Sequence, residues 1–228
     1  MNIEICANSI VSARNALQGG ACRVELCSRL EVGGLTPQIE DVEYCVGELG
    51  LRTHVLVRPR EGNFCYTPEE YRLICRQVEQ CRQAGAAAVV VGFLTATGVV
   101  DEERTRQIVQ QASPMEVTFH RAFDEIRQDP AEALEAVIRC GCHRILTSGC
   151  SATAEEGIPI LRDLVRQAAG RILIMAGAGV TPCNAVRIVQ QTGVDEIHGS
   201  CKSTLPDGTI ATDTDTVKAL IQSLCSTL

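Results

Sequence analysis

The sequence predicts an α/β fold, a (β/α)8 TIM barrel built as a single domain over residues 1–228. Three observations carry that expectation. Eight short apolar runs alternate with eight longer segments of helical period, glycines recur just before strands, and no polar linker or low-complexity stretch divides the chain. A doubly wound open sheet is the structural alternative, and the strand count disfavours it.

The predicted strands are Ile3–Cys6, Arg23–Cys27, Arg52–Val57, Ala88–Gly92, Glu116–His120, Arg144–Thr147, Ile172–Ala176 and Asp195–His198. Between them, helices are expected over Asn8–Leu17 and over Pro37–Leu49, where proline occupies a tolerated first-turn position. Thr67-Pro68-Glu69-Glu70 reads as an N-cap with early acidic residues, opening a long helix to Ala84. Further helices are predicted over Asp101–Gln111, Pro130–Cys140, Glu155–Ala168 and Pro182–Gln191. The last, Asp213–Ser223, follows a loop containing Pro206-Asp207-Gly208. Gly19-Gly20, Gly85, Gly141, Gly170 and Gly193 stop helices at their C-terminal ends.

Aromatics make up 3% of the chain and tryptophan is absent, so Val, Ile, Leu, Ala and Cys must build the core. The formal net charge is -7 with no run of like charges, which argues against nucleic acid or an anionic membrane as partner. The start, MNIEICANS, lacks the basic and apolar regions of a signal peptide, and no apolar run approaches the roughly 18 residues of a membrane span. A cytoplasmic protein is expected. Thirteen cysteines are present without a single C-x-x-C, so most read as small buried hydrophobes.

Side chains alternate along a strand, so residues two apart share a face. Glu4 then lies with Cys6, Glu25 with Cys27, His54 with Leu56 and Arg58, Thr118 with His120, and Glu196 with His198 and Ser200. With helices covering the outside, these faces point into the barrel. An unpaired buried charge costs several kcal/mol, so this lining must be a network of paired charges converging where barrels hold their sites. His54 sits low on its strand and reads as structural, and His143 enters from the opposite end.

The loops extend the picture. Arg58 and Arg60 leave the third strand as a candidate anion clamp. Thr147-Ser148-Gly149 and Gly177-Ala178-Gly179 leave the sixth and seventh strands, where small residues let backbone N–H groups approach an anion. Either loop alone also reads as a tight strand-to-helix turn.

Several segments together resemble the CutC family. They are Arg23-Val24-Glu25-Leu26-Cys27, Gly33-Gly34-Leu35-Thr36-Pro37, Arg58-Pro59-Arg60 and Phe64-Cys65-Tyr66. With them come Thr118-Phe119-His120-Arg121-Ala122-Phe123-Asp124, Arg144 through Gly149, Met175 through Val180, and Glu196-Ile197-His198-Gly199-Ser200. The resemblance covers residues 1 to 203 and implies a barrel, a cytosolic location, a homodimer and a role in copper homeostasis. Gln38 and Cys150 depart from the family's pattern, and Cys150, near the expected pocket mouth, would alter metal behaviour.

Two functions follow. One is binding of copper, as Cu(I), by Cys6, Cys27, His120 and His198, since Cu(I) prefers thiolate and imidazole. The Glu and Arg content of the lining counts against it, and either cysteine alone reads as packing. The other is an enzyme acting on a small anionic or phosphorylated metabolite. Glu4, Glu25, His120, Asp124, Glu196 and His198 would supply acid–base groups, and Arg58, Arg60, Arg121, Thr147, Ser148, Gly149, Gly177 and Gly179 the anion site. Lys202 is the one lysine that keeps Schiff-base chemistry open.

Overall fold

Strict alternation along each strand sorts the side chains into two environments. Ile3 and Ile5, Val24 and Leu26, Val55, Val89 and Val91, Val117 and Phe119, Ile145, Ile174 and Ile197 belong to one continuous apolar cluster with the helices. The residues between them face the barrel axis. A computed structural model of the chain describes residues 1–204 and 208–225. Its eight parallel strands are β1 (Asn2–Ala7), β2 (Arg23–Leu26), β3 (Arg52–Leu56), β4 (Ala88–Val91), β5 (Glu116–Phe119), β6 (Arg144–Thr147), β7 (Leu173–Ala176) and β8 (Glu196–Gly199). They close into a barrel in chain order, β8 pairing with β1 through Asn2 and Glu196, Glu4 and His198.

Eight helices cover the outside: α1 (Ile10–Gln18), α2 (Ile39–Gly47), α3 (Pro68–Gln83), α4 (Glu102–Ala112), α5 (Pro130–Cys140), α6 (Ile158–Ala168), α7 (Ala185–Thr192) and α8 (Thr214–Cys225). The Thr67 cap forms as expected, with a reciprocal bond from Glu70. Asp213 caps α8 by accepting from the Thr216 N–H at 2.8 Å. None of the described helices is long and apolar enough to cross a membrane.

Four details differ from the sequence reading, each for a local reason. Pro37 lies outside α2, because Leu35 bridges to Ser28 and Thr36 bonds to Arg58, which holds this stretch extended. The α6 helix starts at Ile158, three residues late, since Gly157 is pressed against the Ser148 carbonyl. Asn184 folds the start of α7 back by bonding to the Thr181 N–H and the Gly179 carbonyl, so Pro182 is not helical. A short hairpin, β9 (Lys202–Thr204) and β10 (Ile210–Thr212), follows β8. It docks on α1 through Asn8, Ser12 and Asn15, and its strands are too short to show a period. Of the expected Pro206-Asp207-Gly208 loop, Pro206 and Asp207 lie outside the described residues.

Inside the barrel the lower layers are ionic rather than aliphatic. The Glu196 carboxylate takes Arg23 at 2.6 Å and Arg144 at 2.6 Å, and Asn2 donates to it at 3.0 Å. Arg144 also reaches Thr118 and Glu116, at 3.1 and 3.2 Å. One layer up, the Glu4 carboxylate meets Arg23 at 3.0 Å, His54 at 2.7 Å and His198 at 2.9 Å. Removing one partner from such a network leaves the others buried and uncompensated. Glu196→Ala, which leaves buried Arg23 with Glu4 alone and buried Arg144 with only the half-buried Glu116, is therefore expected to lose about 3 kcal/mol of unfolding free energy. Urea denaturation measures this, and a loss below about 1 kcal/mol, the scale of an exposed pair, would show the network to be dispensable.

Candidate functional site

Above the ionic layers, toward the C-terminal ends of the strands, the interior opens into a cavity of about 720 Å³. Its floor is a small apolar patch of Cys6, Cys27 and Leu56, which cluster with the buried Val90 and against which Leu30 packs. Cys6 on β1 and Cys27 just past β2 bring their sulfurs to 3.8 Å. Beside them His198 places Nε2 3.4 Å from a Glu25 oxygen while its Nδ1 bonds to Glu4. One ligand atom each from Cys6, Glu25 and His198 fall within 4.8 Å of one another.

The charges of this cluster follow from burial and neighbours. Burial alone would raise the pKa of Glu4, but the hydrogen bonds with His198 and His54 outweigh it and hold the carboxyl well below its ordinary value. Burial would likewise discharge His198, yet Glu25, Cys6 and Glu4 push its pKa well above that of a free imidazole. A carboxyl group against each ring nitrogen favours its imidazolium form. Glu25 has no arginine of its own, so burial prevails over the attraction of His198 and raises its pKa to about 7. The Cys6 thiol is pushed well up by its hydrogen bond with Cys27 and by burial.

His120 follows a different logic. The Ala122 N–H donates to its Nδ1 at 3.0 Å, and burial, with Arg58 and Arg121 nearby, lowers its pKa to about 3. The ring is neutral with its proton on Nε2, which has no partner among the described residues. It lines the cavity as a hydrogen-bond donor, a state that offers a metal no lone pair at Nε2. The ring fits because residue 92 is glycine, where an added Cβ would lie 2.4 Å from it.

The cavity is lined by Cys6, Cys27, Glu25, His120, His198, Arg58, Arg121 and Gly179 among the sequence-predicted site residues. Glu4 and Glu196 lie beneath, committed to their ion pairs, and the pKa of Glu196 is lowered to about 2 by Arg23 and Arg144 against burial. The expected arginine clamp is otherwise engaged. Arg58 donates to the carbonyls of Val32, Gly34 and Gly62, at 3.0, 3.1 and 2.9 Å. Arg60 pairs with Glu70 and donates to the carbonyls of Glu61, Asn63 and Cys65. Both arginines knot their loop together, and Arg60 does not line the cavity.

The sixth loop is also taken, by a residue of this chain. The Asp124 carboxylate accepts from the Ser148 N–H at 3.0 Å, the Cys150 N–H at 3.1 Å and the Thr147 hydroxyl. Arg121 pairs with the same carboxylate at 2.8 Å. Asp124 therefore plugs the anion nest that Thr147, Ser148 and Gly149 were expected to offer a ligand, and acts as a fastener rather than as an acid or base. Cys150 sits in this knot with φ of 55° and does not line the cavity. Gly177 serves packing, since an added Cβ would lie 2.6 Å from Leu146 and 3.4 Å from His198. The sequence reading missed Leu30, Phe64 and Thr216 of the lining, whose segments carry no strand parity. It also missed Arg23 and Arg144, although their parity with Glu25 and Leu146 places them inside.

The sequence matches the CutC family over residues 1–203. A CutC family protein of Bacteroides thetaiotaomicron is 46% identical over 203 residues, which is 89% of this chain and 81% of that protein. One from Vibrio vulnificus is 45% identical over 206 residues, covering 90% of this chain and 82% of the relative. A solved structure described as the copper homeostasis protein CutC of Streptococcus agalactiae superposes with a TM-score of 0.83 at 33% identity, covering 88% of this chain and 98% of that one.

The raised pKa of Glu25 has a thermodynamic consequence of definite sign. From its unfolded value near 4.5 up to about 7 the folded state binds more protons than the unfolded chain, so stability falls as pH rises through that window. His198, raised above its unfolded value, extends the fall to higher pH. Glu25→Gln removes the first contribution and weakens the second, since Glu4 and Cys6 still hold His198, and its Tm is expected to drop less than that of the unaltered protein between pH 5 and pH 8. Parallel curves from scanning calorimetry would mean that Glu25 is already ionised at pH 5.

Proposed function

The chain belongs to the CutC family, and from that premise we propose that it is a cytoplasmic copper homeostasis protein that takes Cu(I) on the cavity floor. Cys6 and Cys27 are the thiolate ligands and His198 the third donor. The observation that carries this reading is the pair of buried sulfurs, 3.8 Å apart, beside an imidazole at the foot of an open cavity. Two thiols and an imidazole suit a soft monovalent copper ion, and the adjacent Glu25 carboxyl suits it less. His120 drops out of the ligand set because its Nδ1 accepts a backbone bond and its Nε2 carries the proton.

Loading the site requires the thiols and the His198 imidazolium to give up protons, so affinity must rise with pH. In an anaerobic titration against a competing chelator, the unaltered protein is expected to show one tight stoichiometric phase that strengthens from pH 6 to pH 8. The Cys6→Ser/Cys27→Ser protein loses that phase and His120→Ala keeps it. Weak, graded uptake by all three proteins would make copper binding a property of scattered thiols and end the proposal.

A second reading draws on Glu25. A carboxyl with its pKa near 7 at the floor of a cavity is poised for proton transfer. On this reading Glu25 exchanges a proton with a small anionic metabolite, and Glu4 orients His198 as the charged partner that steadies the negative charge formed.

A further inference from the structure

The sixth and seventh loops are chemically alike and end differently. The sixth spends its backbone N–H groups on Asp124. In the seventh, the N–H groups of Ala178, Gly179 and Val180 find no acceptor among the described residues. The same holds for Ser200 and Cys201, which follow β8. All five residues line the cavity. Ala178 and Gly179 adopt φ of 79° and 69°, and Cys201 adopts 44°, left-handed conformations that leave these amides outside any helix or strand ladder. Val180 and Cys201 are 7% and 6% exposed, which makes unpaired amides there costly without a ligand.

Lysine adds charge at the same place. The chain has two lysines. Lys218 pairs with Asp215 at 3.2 Å, whereas Lys202, on β9, lines the cavity with no carboxylate partner among the described residues. Among the described residues, the two carboxylates that line the cavity, Glu25 and Glu125, come from β2 and from the turn after β5. A second donor lies on another wall. His120 is 4% exposed, and its Nε2–H is unpartnered.

We infer that the cavity binds a small organic phosphomonoester, its phosphoryl group on the backbone N–H groups of Ala178–Val180 and Ser200–Cys201 with Lys202, and an oxygen of its carbon skeleton on His120 Nε2. A phosphoryl group presents several charged acceptor oxygens to several fixed donors, as barrels commonly arrange at their last two loops. A cavity of about 720 Å³ accommodates a metabolite of this kind. The inference rests on the proton-transfer reading only in treating the cavity as a small-molecule site, and it is independent of copper.

Amide-resolved NMR with inorganic phosphate as probe tests it on the whole chain. The resonances of residues 178–180 and 200–201 are expected to shift on titration, while those of Ser148 and Cys150, sealed by Asp124, stay still. Lys202→Gln, at an exposed position, weakens phosphate binding about tenfold, the scale of one charge-assisted bond. With dihydroxyacetone phosphate, His120→Asn weakens binding while leaving that of inorganic phosphate unchanged. No shift at millimolar phosphate, shifts elsewhere on the surface, or equal binding by Lys202→Gln overturns the inference. Solvent deuterium entering dihydroxyacetone phosphate, and lost in Glu25→Gln, tests the proton-transfer reading separately. Binding without exchange sinks that reading and leaves the phosphoryl site standing.

Discussion

The Glu4 carboxylate is buried at the barrel axis, and the interior is organised around keeping it ionised. Three basic groups from three strands converge on it: Arg23, His54 and His198. Each brings a charge or a polar edge that needs a partner in turn. Arg23 turns down to Glu196, Glu196 takes Arg144, and Arg144 ends on Thr118 and the half-buried Glu116. A barrel of this size is ordinarily filled by layers of branched aliphatic side chains. Here charge neutralisation fills the lower layers, and the main aliphatic core lies between strands and helices, with only a small apolar patch left inside the barrel. Such a network confers little stability over a hydrophobic filling, yet loss of any member is severe.

In the other direction the chain of charges runs from Glu4 through His198 to Glu25, where it ends without a further cation. That asymmetry is the source of the site's chemistry. Glu196 has two arginines and stays ionised under all ordinary conditions, whereas Glu25 shares one imidazolium with Glu4 and titrates near neutrality. Beside it lies the apolar patch of Cys6, Cys27, Leu56 and Val90, where the hydrogen bond with Cys27 and burial push the Cys6 thiol well up. A structural requirement low in the barrel thus sets the proton affinities at its mouth.

The fold was legible because strand parity is strict. Eight apolar runs separated by helical segments leave little freedom, and the strand ends fell within a residue or two of those expected. Parity also placed Glu4, Glu25, Cys6, Cys27, His120 and His198 inside. It could not tell which of them would be consumed by one another, since that depends on shear between strands far apart in sequence, as in the contact of Glu4 with His198. The loop readings fared worse for the same reason. Arg58 and Arg60 look like an anion clamp until the loop carbonyls they bind are seen, and Asp124 looks like an acid until it is found in the nest of the next loop. Small-residue loops advertise backbone donors in the sequence, but only the fold shows whether an internal carboxylate has reached them first.

Copper binding and proton transfer draw on the same atoms. A Cu(I) ion on Cys6, Cys27 and His198 needs the imidazole neutral, which removes the charge that Glu4 and Glu25 both lean on. Glu25 would then lose its one attractive partner and hold its proton more tightly, so a loaded metal site and a working acid–base pair are states of the floor that exclude each other. The wall formed by the seventh and eighth loops takes no part in that exchange, because its proposed donors are backbone N–H groups and Lys202, none of which belongs to the Glu4–His198–Glu25 cluster. Occupancy of the wall and occupancy of the floor can therefore vary independently. If both proposals hold, that separation would let one cavity serve a metal-linked role without erasing the recognition of a small anion.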